Sequence, residues 1–290
     1  MTRTTFSALF AATLLLACSP KITNQFSKTY PPLQPWESLI VFELTDSLDA
    51  ELMRYQIGEI AIEDNGLAIN CDYHTVLDSA KTRARLNGAN ALKIISHKLP
   101  GTSAWGSTCH RIRAIALRLP DTGPYEREIA WHENRRLRIA DFKADTAQRP
   151  FAAATLSTLK SIYRLWSGAS PKAQIRIESI FLCQHSYFKS SPDSNAVLQH
   201  EQGHFDLTEI QARKLRRQIK SFPFHANSFE TDLKRLFENA NLELQTRQDQ
   251  YDHDIYPNPE RQGPWLEKIR QELTDLAAFR DPDLTVPVNR

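Results

Sequence analysis

The chain has 290 residues, room for about two domains, and 41% of them are hydrophobic, enough to build real cores. Its 36 basic and 34 acidic residues leave a formal charge of +2, which argues against nucleic acid or any strongly charged partner. With 9 glycines and an ordinary 16 prolines, long disordered tracts are not expected away from the ends, and the chain shows no internal repeat and no low-complexity segment.

The first residues read as a processed signal rather than as fold. Arg3 supplies a positive start, and Phe6 to Leu16 is an apolar run too short to span a bilayer. Leu15-Leu16-Ala17-Cys18 resembles the lipobox of bacterial lipoproteins. That resemblance implies cleavage before Cys18, lipidation of its thiol and acylation of its new amino group. Several acyl chains on one cysteine anchor stably. Ser19 follows where lipoproteins kept in the inner membrane often carry Asp, so the analogy favours the outer membrane. The remaining cysteines are Cys71, Cys109 and Cys183. The envelope permits disulfides, so Cys71 and Cys109 can pair, with two buried thiols as the alternative, and Cys183 reads as a buried thiol.

Residues 19 to about 37 are polar and contain Pro31, Pro32 and Pro35, the composition of a tether. A small α/β pattern follows. Leu39 to Phe42, Ile57 to Ile62, Leu67 to Cys71, Ala91 to Ile95 and Arg111 to Leu117 read as strands, with a turn at Asp64-Asn65-Gly66. Thr75 to Leu86 reads as a helix carrying Val76, Ala80 and Ala84 on one face and stopped by Asn87-Gly88. His110 beside Cys109 is either a metal ligand or a structural histidine. Leu119-Pro120 to Pro124 marks the boundary.

Beyond it the pattern changes. Phe151 to Trp166 and Gln174 to Leu182 alternate like strands, the second with Ile175 and Ile177 on one face. Helical stretches follow at about Pro192 to Lys220, Ser228 to Tyr251 and Pro264 to Phe279, then a loose tail from Asp281 to Arg290. Ser191 suits the N-cap of the first helix and Pro192 its first position.

That first helix holds His200-Glu201-Gln202-Gly203-His204, an H-E-x-x-H motif. Residues four apart share a helix face, so both imidazoles can meet one ion, and zinc accepts neutral imidazole nitrogen in a tetrahedron. Glu201 projects to the side, placed to take a proton from a zinc-bound water. Gly203 costs a helix about 1 kcal/mol against alanine, which hints at close approach by another backbone. A strand just before such a helix can hold a substrate backbone by strand addition, and Gln174 to Cys183 is the candidate, with an internal packing strand as the alternative.

Two histidines leave a catalytic zinc one protein ligand short. Asp206 lies about 200° round the helix from His204 and Glu209 about 180° from His200, so both are expected to cap, pair or support. The end of the next helix, Tyr251-Asp252-His253-Asp254, is the better source if a helix hairpin brings it back. Asp252 is the first choice, His253 and Asp254 stay open, and Tyr251 can donate to a developing oxyanion.

His200 to Asp206, with Glu209 and Ala212 to Leu215, resembles an uncharacterised bacterial family of secreted proteins treated as zinc-dependent peptidases. Trp131 with Leu137 and Asp141-Phe142 resembles its lead-in segment, and Tyr251-Asp252 with Gln262 and Trp265 its later one, so the likeness spans about residues 128 to 275. This chain has Ile255-Tyr256-Pro257 where that family commonly has Thr-x-His.

The expected protein is α+β. A signal peptide (1–17) and lipidated tether (18–37) precede a small α/β sandwich (38–120), a zincin-like domain with a strand-rich and a helical part (125–280) and a tail (281–290). The expected function is zinc-dependent hydrolysis of peptide bonds in a protein or peptide substrate, anchored to the envelope membrane through Cys18. His200, His204 and Asp252 hold Zn2+, and Glu201 and Tyr251 are catalytic. The alternative, favoured by the altered Ile255-Tyr256-Pro257 segment, is a non-catalytic binding or scaffold lipoprotein.

Overall fold

The structure, a computed structural model, describes residues 21–63, 72–103, 106–107, 110–166, 170–190 and 192–290. Cys18, Cys71, Cys109, Ser191 and the expected strand from Leu67 to Cys71 lie outside them. The fold is α+β, and the chain divides into two units, the first ending at Tyr125 and the second running Glu126–Arg290.

In the first unit, β1 (Lys21–Phe26), β2 (Ile40–Phe42), β3 (Gln56–Glu63), α1 (Tyr73–Leu86), β4 (Ala91–Lys98), β5 (Thr102–Ser103), β6 (Gly106–Ser107) and β7 (Arg111–Leu117) follow in order. Five of them form one sheet in the order β1-β3-β7-β4-β2, antiparallel except where β2 meets β4. Asp72 caps α1 by accepting from the Thr75 N–H at 3.0 Å, and Gly88, with φ of +74°, takes the left-handed turn that ends it. Val76, Ala80 and Ala84 of α1 bury against Ile60, Ile62 and Ile94 of the sheet. The reading of a tether is corrected for residues 21–26. Lys21–Phe26 pairs with β3 along its whole length, because Ile22 and Phe26 share a face of the strand and pack on the same core.

The second unit carries β8 (Glu128–Ala130), β9 (Ala153–Ala154), β10 (Ser157–Trp166), β11 (Lys172–Leu182), β12 (Tyr187–Phe188), α2 (Ser194–Ser221), α3 (Phe229–Ile255), α4 (Gln262–Asp275) and β13 (Asp283–Pro287). The long hairpin β10–β11 is the frame, pairing from Ser157↔Phe181 to Trp166↔Lys172. The other edge of β11 is covered by β13 at one end and β8 at the other. Two sequence expectations change as a result. The stretch 281–290 is no loose tail: Leu284, Val286 and Val288 alternate inward, and Val286 and Val288 are core residues. Gln174 to Cys183 is no open edge, since β11 is paired on both sides. Among the described residues the sheet's terminal strands are β10 on one side and β13 and β8 on the other.

The motif helix α2 starts at Ser194 rather than Pro192, and its cap position, Asp193, makes no side-chain cap bond. From His200 to Arg213 every residue of α2 is buried, enclosed by the sheet, α3 and α4. The buried stripe of α3 is narrow, as its long polar residues predict: Phe229, Ala240 and Tyr251 recur every eleven residues, as do Leu233, Leu244 and Ile255. That stripe lays α3 antiparallel on α2, with Gln211 bonded to Glu243, His204 to Gln248 and His200 to Asp252.

Candidate metal centre

The antiparallel hairpin brings His200, His204 and Asp252 together. Asp252 Oδ1 lies 2.9 Å from the Nε2 of each histidine, and the two Nε2 atoms are 3.1 Å apart. A tetrahedral ion with bonds of about 2.0–2.1 Å sets its ligands roughly 3.3–3.4 Å apart, so this donor triangle is a few tenths of an ångström tighter than a bound zinc would hold it. The donor chemistry, two imidazole nitrogens and one carboxylate, also suits zinc. Among the described residues it is the one group of three or more such side chains able to share an ion.

The electrostatics point the same way. Burial opposes ionisation of Asp252, but hydrogen bonds to His200 and His204 outweigh it and hold the carboxyl well below the usual range. His204 is buried, which disfavours its charge, yet its bond to Asp252 raises it on balance. The site thus holds an ionised carboxylate against two imidazoles, with His204 biased toward carrying a proton that a bound cation would have to displace.

His204 depends on a support that sequence reasoning missed. Gln248 Oε1 is hydrogen bonded to His204 Nδ1, and Gln248 Nε2 donates to the His204 carbonyl at 3.0 Å. This fixes the tautomer that leaves Nε2 toward Asp252. Gln248 lies four residues before Asp252, one helical turn away on the same face, and that spacing was the signal available. Asp206, excluded as a ligand by helix geometry, instead accepts from Trp131 Nε1 at 2.7 Å, Arg136 Nη1 at 3.1 Å and Gln202 Nε2 at 2.8 Å. Gln202 Oε1 in turn accepts from the Leu137 N–H at 2.7 Å. The segment around Trp131 and Leu137 is thereby pinned to the motif helix.

Glu209 is likewise no ligand. It lies in a fully bonded buried cluster with Arg213 at 2.9 Å, Arg216 at 2.9 Å and Ser179 at 2.7 Å. His253 is exposed, and Asp254 accepts from Trp265 Nε1 at 3.1 Å, so of the three acids and bases at the end of α3 only Asp252 reaches the centre.

Glu201 is different. Its Oε2 is, among the described residues, the one buried side-chain oxygen or nitrogen with no hydrogen-bond partner. Burial pushes the carboxyl upward, with His204 the largest opposing influence. Leaving such an oxygen unsatisfied costs about 1–3 kcal/mol. The other buried polar groups described on α2 avoid that cost, and Glu201 carries it. Glu201 lies outside the donor group but close enough to His204, His200 and Asp252 to feel their charges.

Tyr251 does not reach the place expected of an oxyanion donor. It is fully buried, and its hydroxyl faces the His200 carbonyl at 3.3 Å. It fills the notch at Gly203: a Cβ there would meet Tyr251 Cζ at 2.7 Å and the hydroxyl closer still. Gly203 thus marks close approach, as expected, but by a side chain rather than a backbone. The accessible phenol at the centre is Tyr256, 53% exposed, with its ring 5.5 Å from that of His200 and within the electrostatic reach of Asp252. Burial and the Asp252 charge push it up to about 12. Cys183 is a buried free thiol.

Comparison with known families finds one match: residues 192–256 are similar to the family described as "Bacterial protein of unknown function (DUF922)". The match holds α2, α3, all three donors, Glu201 and Tyr256. It is shorter than the likeness expected over 128 to 275, and its description names no activity. Curated proteins and solved structures give no match.

Proposed function

We propose that this chain is a zinc-dependent peptidase whose second unit is a zincin-like domain, held at the bacterial envelope through a lipidated Cys18. The observation that carries the reading is the donor triangle of His200, His204 and Asp252 beside the one unpartnered buried oxygen among the described residues, on Glu201. Three protein donors, rather than a closed set of four, are the pattern of catalytic rather than structural zinc.

A zinc ion held by these residues would lower the pKa of water and polarise a carbonyl oxygen. Glu201 takes the proton of the attacking water as the new carbon–oxygen bond forms, then gives it to the amine nitrogen as the carbon–nitrogen bond breaks. Gln248 keeps His204 in the required tautomer. Tyr256, half-exposed with its ring beside that of His200, is the phenol that can meet a substrate, in place of the buried Tyr251.

The sheet supports a peptide over other polymers. β10 is a ten-residue terminal strand, and it and the segment leading into it meet α2 closely: Thr155, just before β10, donates from Oγ1 to the Glu201 carbonyl at 3.3 Å, and Ser157 Oγ at the start of β10 pairs with Thr208 Oγ1 at 2.7 Å. An extended chain added to that edge would have its backbone hydrogen bonded, with one end close to residue 201 of the motif helix. Glu201→Gln tests the reading. It should keep its zinc and lose about 100-fold or more in turnover of a mixed peptide pool; full activity in that variant would remove Glu201 from the chemistry.

A further inference from the structure

Phe151 and Tyr256 are each large, ring-bearing and about half exposed, at 54% and 53%. Their rings stack in parallel, 3° apart in plane with centroids 5.8 Å apart. Isolated exposed apolar residues are ordinary, but a stacked pair touching a metal-donor histidine is not. The Tyr256 ring is 5.5 Å from that of His200, so the pair adjoins the donor triangle.

The backbone beside both rings is fixed. Ala153 and Ala154 pair with Phe188 and Tyr187, and the Lys189 N–H donates to the Ala152 carbonyl at 2.7 Å, which fixes the backbone that carries Phe151. Tyr256 caps α3 through its own N–H to the Asp252 carbonyl at 2.9 Å. A preorganised flat apolar surface loses little entropy on binding.

We propose that Phe151 and Tyr256 form a subsite for an aromatic or large apolar side chain next to the scissile bond, which rests on the peptidase reading above. The stretch leading into β10 carries Phe151 at its start and Thr155, on the Glu201 carbonyl, near its end. A peptide lying along β10 and crossing the centre would therefore present a side chain to the two rings. Stacking contributes roughly two- to tenfold in affinity beyond the area buried.

The test uses the full chain in detergent, loaded with zinc, and two metal-directed probes: N-acetyl-phenylalanine hydroxamate and N-acetyl-alanine hydroxamate. Calorimetry should show the phenylalanine probe binding about tenfold tighter or more. Phe151→Ala should bring the two within about twofold at unchanged zinc content, while Tyr256→Phe, which keeps the ring, should retain the preference. Equal affinities in the parent, or a preference that survives Phe151→Ala, would overturn the subsite and leave the metal centre standing. No zinc and no binding of either probe would overturn both. Binding of an N-acetylglucosamine trimer that is lost in Phe151→Ala would overturn the peptide assignment in favour of a glycan.

Discussion

The phenol of Tyr251 occupies the space a side chain would need at Gly203, so α3 meets the motif helix where that helix has no side chain. The contact sets the spacing of the hairpin one residue before Asp252. Helix propensity alone would favour Gly203→Ala by about 1 kcal/mol. Overlap with a fixed ring costs about 1–3 kcal/mol, and we expect the overlap to win. Thermal unfolding should show a net loss, with zinc affinity falling as α3 is pushed away. Tyr251→Phe, which gives up only the long 3.3 Å bond, should stay within about 1 kcal/mol of the parent. A stabilised Gly203→Ala would mean the hairpin is looser than described.

Gln248 holds His204 without touching an ion. Gln248→Ala should weaken zinc binding by about 10- to 100-fold, read by competition with a chromophoric chelator, with little change in the melting temperature of the zinc-free protein. Unchanged affinity would show that the tautomer is set elsewhere.

Glu209 neutralises two buried guanidinium groups, on Arg213 and Arg216. Glu209→Ala leaves both without that carboxylate, and removing one partner of a buried pair costs about 3–5 kcal/mol. For a unit of this size that is roughly 6–20 °C in melting temperature. A shift of a degree or two would mean that the cluster relaxes or takes in water.

Burial pushes the Cys183 thiol up to about 11. Its neutral form is the one the fold favours, so its stabilising contribution is complete below the ordinary thiol pKa of about 8.5 and is lost as pH rises from there through 11. At a pH of about 8, below that window, Cys183 should resist alkylation in the native protein and react on unfolding, as followed by peptide mapping. Rapid native labelling would place it at the surface.

The candidate centre was largely legible because helix spacing is rigid: His200 and His204 four apart fix a shared face, and the same arithmetic placed Asp206 and Glu209 poorly for ligation. Asp252 followed only from supposing a hairpin, which the eleven-residue stripe of α3 now explains. What stayed hidden depended on tertiary register. Tyr251 and Tyr256 are both phenols near the end of α3, yet one belongs to the buried stripe and the other lies just past the helix end. Nothing local told them apart. The strands β1 and β13 were missed because short polar-flanked segments carry a weak alternation, visible in Ile22 and Phe26 or in Leu284, Val286 and Val288 only once a partner strand is known.

The most direct test of the account is the metal content of the chain from Ser19 onward, purified without chelators, beside Asp252→Ala. We expect about one zinc per chain in the parent and its loss or marked weakening in the variant. An absence of zinc in the parent even after zinc is added, or undiminished zinc in Asp252→Ala, would contradict the three-donor centre.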